Sequence, residues 1–347
     1  MRKNIALFPN HPAQIWFLLP IARNLEKQAN VIWFLRDKDV SLDLADSLGL
    51  DYRTVSIAKT GLTANGIELF INIFKCVYYT LRYNINLWVT KYGCGNIAAW
   101  LCRRESVSFN DDDADIVPLI AKTSYPFAKF VMVPEAIRMK GYENKAFRYR
   151  SVHELAYLHP ENFTFDPHRL QALGLDDRSR FCLIRLSALK AHHDLGVRGI
   201  SQKTLRKVID ICKQEQIRVF ISSEKALSEE FQAYAVQGKV DIIHHLLAKA
   251  EFLLSDSQSM SSEACVLGTF SIQVSDFKGK LSVIELLSSY GLSKSFVSEE
   301  QDKVVDEVIK CLQGRYKEAI AVARQKLLED LINPVPTLSG KLVEALD

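Results

Sequence analysis

Short apolar runs alternate with amphipathic segments along almost the whole chain, and no other feature constrains the fold as much. Residues 5–8, 31–35, 52–57, 87–91, 107–109 and 130–133 read as strands. Between them, residues 15–28, 40–48, 67–83 and 96–104 space their apolar positions as helices do, and Gly49 supplies a stop for the second. The scheme then repeats. Strands are expected at 181–186, 217–221, 251–254 and 271–274, and helices at 203–215, 229–236, 242–250, 260–267, 284–290, 303–312 and 316–331. Pro334 and Pro336 break the last of these before a terminal helix. Strands separated by helices of this length form βαβ units with right-handed crossovers, so each half is expected to be a doubly wound α/β domain on a mostly parallel sheet.

At 347 residues the chain suits two such domains. A polar and aromatic stretch with Pro160 and Pro167 places the linker near 160–178. The expected division is 1–165, 166–335, and a terminal helix at 336–347 packing back toward the first domain. Two similar α/β halves imply a ligand cleft between them. Lys plus Arg (44) nearly cancels Asp plus Glu (41), so no basic field marks nucleic acid as a partner. Seven scattered cysteines without a C-x-x-C pattern fit reduced thiols in the cytoplasm and give no zinc ligand set. The apolar start at 5–8 is too short for a signal core, and no stretch is long enough to span a bilayer.

The richest segment runs from Ala250 to Val274: an apolar strand, a small polar turn, a helix and another strand. Ser257, Gln258 and Ser259 stand where a helix begins, with unpaired N–H groups and the positive end of the dipole, which suits a phosphate. Glu263, one turn further on, can accept hydrogen bonds from two ribose hydroxyls. The same pattern also serves as an ordinary N-cap followed by an exposed glutamate.

Ser255–Ala264 together with Leu267-Gly268-Thr269 resembles the nucleotide-binding segment of non-hydrolysing UDP-N-acetylglucosamine 2-epimerases and GT-B glycosyltransferases. The resemblance implies that Ser257, Gln258 and Ser259 lie by a diphosphate and Glu263 by the ribose; glycines usual in that turn are Gln258 and Ser259 here. Asn10–Phe17, Phe109–Asp112, Pro134–Ile137, Glu154–Pro160 and Arg185–Asp194 resemble, in order, motifs of an uncharacterised bacterial and archaeal family of predicted glycosyltransferases grouped with the GT-B fold. What this implies is a GT-B-like pair of Rossmann-like domains. The implied reaction moves a sugar from a nucleotide-diphosphate donor, bound by the second half, to a carbohydrate or lipid-linked hydroxyl, bound by the first. It implies no cofactor and no metal, because such enzymes stabilise the leaving diphosphate with donors and a helix terminus. A nucleotide-sugar 2-epimerase and an inactive nucleotide-sugar binder are the alternatives.

Three further groups are candidates. His11 follows a strand end between two prolines and can act as a base or bond a sugar hydroxyl, or simply pack in its turn. Asp111 and Asp112, at another strand end, can deprotonate or hold an acceptor hydroxyl, or cap the next helix. Arg185, Ser187, Lys190, His192 and His193 follow the first strand of the second half, where donors can neutralise a departing diphosphate, or form a charged surface loop. The aromatic helix 67–83, with Lys75 and Arg82, reads as core or as a face resting peripherally on a membrane.

Overall fold

The computed structural model describes residues 2–38, 40–57, 62–176, 178–187, 199–238 and 240–346. The chain divides into two compact units, one of Met1–Tyr157 with Ile332–Asp347 and one of Leu158–Leu331.

Unit 1 runs β1 (Asn4–Phe8), α1 (Pro12–Leu25), β2 (Asn30–Asp37), α2 (Ser41–Ser47), β3 (Tyr52–Ile57), α3 (Leu62–Arg82), β4 (Ile85–Thr90), α4 (Gly93–Leu101), β5 (Glu105–Phe109), α5 (Pro118–Ser124), β6 (Phe130–Pro134), β7 (Ala146–Tyr149) and α6 (Leu155–Leu158), whose last residue falls in unit 2. The sheet has seven strands in the order β3-β2-β1-β4-β5-β6-β7, and every pairing is parallel. Central strands buried on both faces must be apolar along their length, and Ile5–Phe8 and Leu87–Val89 are fully buried. Right-handed crossovers put α1 and α2 on one face and α3, α4 and α5 on the other. Phe8, Phe34 and Trp88 fill the space beneath the second layer with edge and tilted ring contacts at 5.0–6.1 Å. Gly93 is required where α4 meets α5, because a Cβ there would sit 2.7 Å from Thr123 Oγ1.

Unit 2 runs α7 (His168–Gln171), β8 (Phe181–Leu186), α8 (Gln202–Gln214), β9 (Arg218–Ser223), α9 (Ile243–Lys249), β10 (Leu253–Ser255), α10 (Gln258–Leu267), β11 (Ser271–Val274), α11 (Ser282–Ser289), β12 (Ser293–Phe296), α12 (Gln301–Leu312) and α13 (Lys317–Asp330). Its five strands are ordered β12-β11-β10-β8-β9, again all parallel. The core gathers Ile184, Leu254, Ile272, Val208, Val304 and Val308 from strands and covering helices. The last helix, α14 (Val335–Leu346), belongs to unit 1 and packs against α1.

Several local expectations are corrected. Residues 229–234 form a 3₁₀ turn, not an α-helix. The short strands β7 and β12 and the helix α5 were not expected, and α3 begins at Leu62 rather than 67. Sequence Ser293-Lys-Ser-Phe296 has too few apolar residues to announce a strand; pairing with β11 makes it one. Between 160 and 178, where only a linker was expected, Phe163 and Phe165 pack on His245 and α7 forms.

Candidate functional site

In an open parallel sheet, ligands are held beyond the carboxyl ends of the strands, where the strand order reverses direction. In unit 2 that reversal lies between β8 and β10. The residues directly after those two strands are joined there: Asp256 Oδ1 accepts a 2.6 Å hydrogen bond from Ser187 N, and Asp256 N donates to Arg185 O at 3.3 Å. Burial pushes the Asp256 carboxyl above its ordinary value, although the Ser187 amide pulls it back. Ser255 Oγ accepts from Ser257 N at 2.8 Å and tightens the turn. Ser257 caps α10, accepting from Met260 N at 3.5 Å, and the amides of Gln258 and Ser259 open the first helical turn. This turn therefore sets the amino end of α10 at a strand-order reversal.

The other expected donors are placed less simply. Arg185 gives Nη1 to Ser222 Oγ at 2.8 Å and forms an ion pair with Glu224, so a phosphate would compete with that carboxylate. Ser187 Oγ is buried and has no hydrogen-bond partner among the described residues. Lys190, His192 and His193 lie outside the described residues. Glu263 is 5% exposed, not the exposed glutamate that a plain cap would carry. Its Oε1 lies 3.1 Å from Nε2 of His244 on α9. The sequence reading did not single out His244. No spacing rule connects it to Glu263, since only the packing of α9 on α10 brings them together.

In unit 1 the order reverses between β1 and β4, and His11 and Lys91 follow those strands. His11 is the N-cap of α1: Nδ1 accepts from Ala13 N at 3.2 Å, and Pro12 occupies the first helical position. A neutral imidazole accepting at Nδ1 carries its proton on Nε2, which makes His11 a donor in this pose. Asp111 and Asp112 converge on an ammonium: Lys91 Nζ lies 2.9 Å from Asp111 Oδ1 and 2.7 Å from Asp112 Oδ2. Burial alone would raise the Asp111 carboxyl, but the adjacent Lys91 outweighs it and holds the group well below the usual carboxylate range. Burial would lower Lys91, and the two carboxylates hold it above its ordinary value. Among the described residues no group of three or more His, Cys, Asp or Glu side chains is arranged to hold a metal ion.

Behind this triad, His153 stacks on Phe17 at 3.9 Å between ring centroids, with Nδ1 3.6 Å from Asp111 Oδ2. Burial lowers its pKa to about 4, so the ring is neutral near pH 7. His153 Nε2 and Tyr149 Oη are buried without a hydrogen-bond partner among the described residues. Asp113 does not join the partly exposed Asp111 and Asp112 on Lys91. It is fully buried, pairing with Arg138 at 2.9 Å and accepting from the Arg138 amide at 2.8 Å. Nearby, the buried Arg36–Glu68 pair bonds Asn10 and Ser56, with the guanidinium 4.7 Å from the centre of the Tyr92 ring. Lys91, His153, Arg36 and Glu68 escaped the sequence reading. Lys91 had a usable signal, a lysine directly beyond the strand that must neighbour the Asp-bearing one.

Solved structures resemble the chain over nearly its full length. Staphylococcus aureus MnaA in complex with UDP aligns with a TM-score of 0.69 at 10% identity, covering 99% of this chain and 95% of that one. The UDP-GlcNAc 2-epimerase of Neisseria meningitidis bound to UDP-GlcNAc gives 0.65 at 13%, covering 99% of each. The spinosyn forosaminyltransferase SpnP gives 0.65 at 15%, also covering 99% of each.

The fold is GT-B.

At such identities the likeness shows the fold alone. No protein-family profile matches the chain, and no curated protein matches it in sequence.

Proposed function

We propose that this GT-B chain is an enzyme acting on a nucleotide-diphosphate sugar, transferring the sugar to a hydroxyl acceptor in surface polysaccharide or glycolipid assembly. The observation that carries the reading is the unit 2 turn: Ser187, Asp256 and Ser257 meet at the strand-order reversal, with the start of α10 beside them and Glu263 one turn on. In this reading the α10 amides and dipole receive the diphosphate, and stabilise it further as it departs with the bond to the anomeric carbon breaking. Glu263, held against His244, accepts hydrogen bonds from the ribose. On unit 1, the acceptor hydroxyl is assigned to Asp111 and Asp112, and His11 donates from Nε2 to a sugar or acceptor oxygen. Membership of the predicted-glycosyltransferase family that the motifs resemble belongs to the same proposal. The seven free thiols, six of them buried, fit a cytoplasmic setting.

A second reading, a nucleotide-sugar 2-epimerase, is favoured by the structural likeness to UDP-GlcNAc 2-epimerases. Epimerisation needs acid and base groups beside one sugar carbon and no acceptor. The two are separated by incubating the protein with nucleotide sugars alone and then with a panel of acceptors. Free nucleotide diphosphate released in step with acceptor modification supports transfer. A new sugar isomer formed without acceptor assigns epimerase activity. Binding without turnover in every mixture leaves a nucleotide-sugar binder. Glu263→Ala should weaken nucleotide-diphosphate binding by about 1–3 kcal/mol, the cost of losing charge-assisted hydrogen bonds. An unchanged calorimetric Kd removes Glu263 from the site.

A further inference from the structure

Among the described residues eleven large hydrophobic side chains are exposed, and eight of them stand on one helical layer of unit 1. Phe70, Ile71, Phe74, Tyr78 and Leu81 form a stripe along α3, at offsets that keep them on one side of a helix. Trp100 and Leu101 on α4 and Leu119 on α5 extend it across neighbouring helices, which lie in succession on the same face of the sheet. Phe74 and Trp100 are each 60% exposed, and Phe70 meets Phe74 edge-on at 4.9 Å in the open. Scattered exposed apolar residues are ordinary, but eight of eleven gathered on one layer of adjacent helices are not.

The charges on this layer have one sign. Residues 69–104 contain no Asp or Glu, nor do residues 116–134, in a chain whose acidic and basic residues otherwise nearly balance. Lys75, Arg82, Arg103, Arg104 and Lys122 are all exposed, around or beside the apolar stripe, and Glu105, the next acidic residue, already begins β5. Arg104 is held by Asn84 at 2.9 Å, and Lys75 reaches the Val55 carbonyl at 2.6 Å. An apolar aromatic face edged by cations, without acids, complements a surface that is oily below and anionic above. No described helix is long and apolar enough to cross a membrane.

We propose that the α3–α4–α5 face is a docking surface for an anionic lipid bilayer, with Phe70, Phe74 and Trp100 entering the headgroup boundary and the five cations resting on lipid phosphates. The assignment is separate from the nucleotide reading, since lipid binding is measured without substrate and survives if that reading fails.

The test is flotation of the full-length chain with phosphatidylcholine vesicles, with and without phosphatidylglycerol. Binding is expected on the anionic vesicles, weakening with salt. Phe74→Ser should lower the partition coefficient by roughly tenfold or more, because a buried Phe side chain contributes at least one decade. Arg103→Gln/Arg104→Gln should lower it again without touching the core, and serves as the second variant if Phe74→Ser unfolds. Vesicles with brominated acyl chains should quench Trp100, the most exposed of the four tryptophans. No binding to anionic vesicles, binding indifferent to both variants, or unquenched Trp100 would overturn the proposal. So would a concentration-dependent dimer that Phe74→Ser abolishes, which assigns the face to a second copy.

Discussion

Replacing Lys91 with Met removes the cation that holds Asp111 and Asp112 together. In the native unit its ammonium lies within 2.9 Å of both carboxylates, and its side chain is 8% exposed. Without it two negative charges remain side by side beyond the carboxyl end of β5, with a neutral His153 behind them. Taking one partner from a buried pair costs about 3–5 kcal/mol. The lower end applies because water reaches 30% of Asp111 and 23% of Asp112. A loss of about 3 kcal/mol lowers a urea midpoint by roughly 1–1.5 M for a unit of this size. The assay is clean because Trp16, Trp33, Trp88 and Trp100 all belong to unit 1, so tryptophan fluorescence follows that unit and not the other. The pH dependence fixes the cause. In the native protein the Asp111 carboxyl is depressed, so its stabilising contribution is present above about pH 4 and is lost as pH falls through the folded value. In Lys91→Met the buried Asp111 carboxyl loses the cation that lowered it and keeps the burial that raises it, so the penalty is full at pH 7 and is relieved on acidification. His153, freed of Lys91 and facing two carboxylates, then takes a proton more readily and adds to the relief. The gap between the two proteins should therefore narrow from pH 7 to pH 4.5. A gap below about 0.5 kcal/mol at pH 7, or one that does not change with pH, refutes this account.

His11→Ala should lose about 1 kcal/mol of stability with its cap and about 10²–10⁴-fold in turnover, with nucleotide affinity unchanged. His11→Asn should restore the cap but not the turnover, and recovery of both would make His11 purely structural. Gly268 ends α10 at φ 86°, and a Cβ there would lie 2.5 Å from Arg324 Cδ, disturbing the 2.9 Å bond from Arg324 Nε to Val266 O. Gly268→Ala should therefore destabilise unit 2 by about 2 kcal/mol, read by calorimetry as a lowered transition for that unit; an unchanged transition would refute it.

Most of the elements, and that both sheets are parallel, were legible from local periodicity. Apolar runs such as 5–8 and 251–254 can be buried on both faces only in a covered parallel sheet, and the helices between them supply the cover. The turn at Ser257 and the carboxylates at 111–112 were legible for the same reason, as polar groups directly beyond strand ends. Strands β7 and β12 were not, because four residues with Arg, Lys or Ser among them become strands only when a neighbour offers its edge. Tertiary structure alone decided what each candidate touches. Parallel pairing of β4 with β5 sets the residues after them side by side, which delivers Lys91 to two aspartates 20 and 21 positions away. Packing of α9 on α10 turns Glu263 inward onto His244, and the N-cap bond to Ala13 chooses the His11 tautomer. Periodicity records which side of an element is buried; which charge faces which depends on sheet order and helix packing, through contacts that no local window spans.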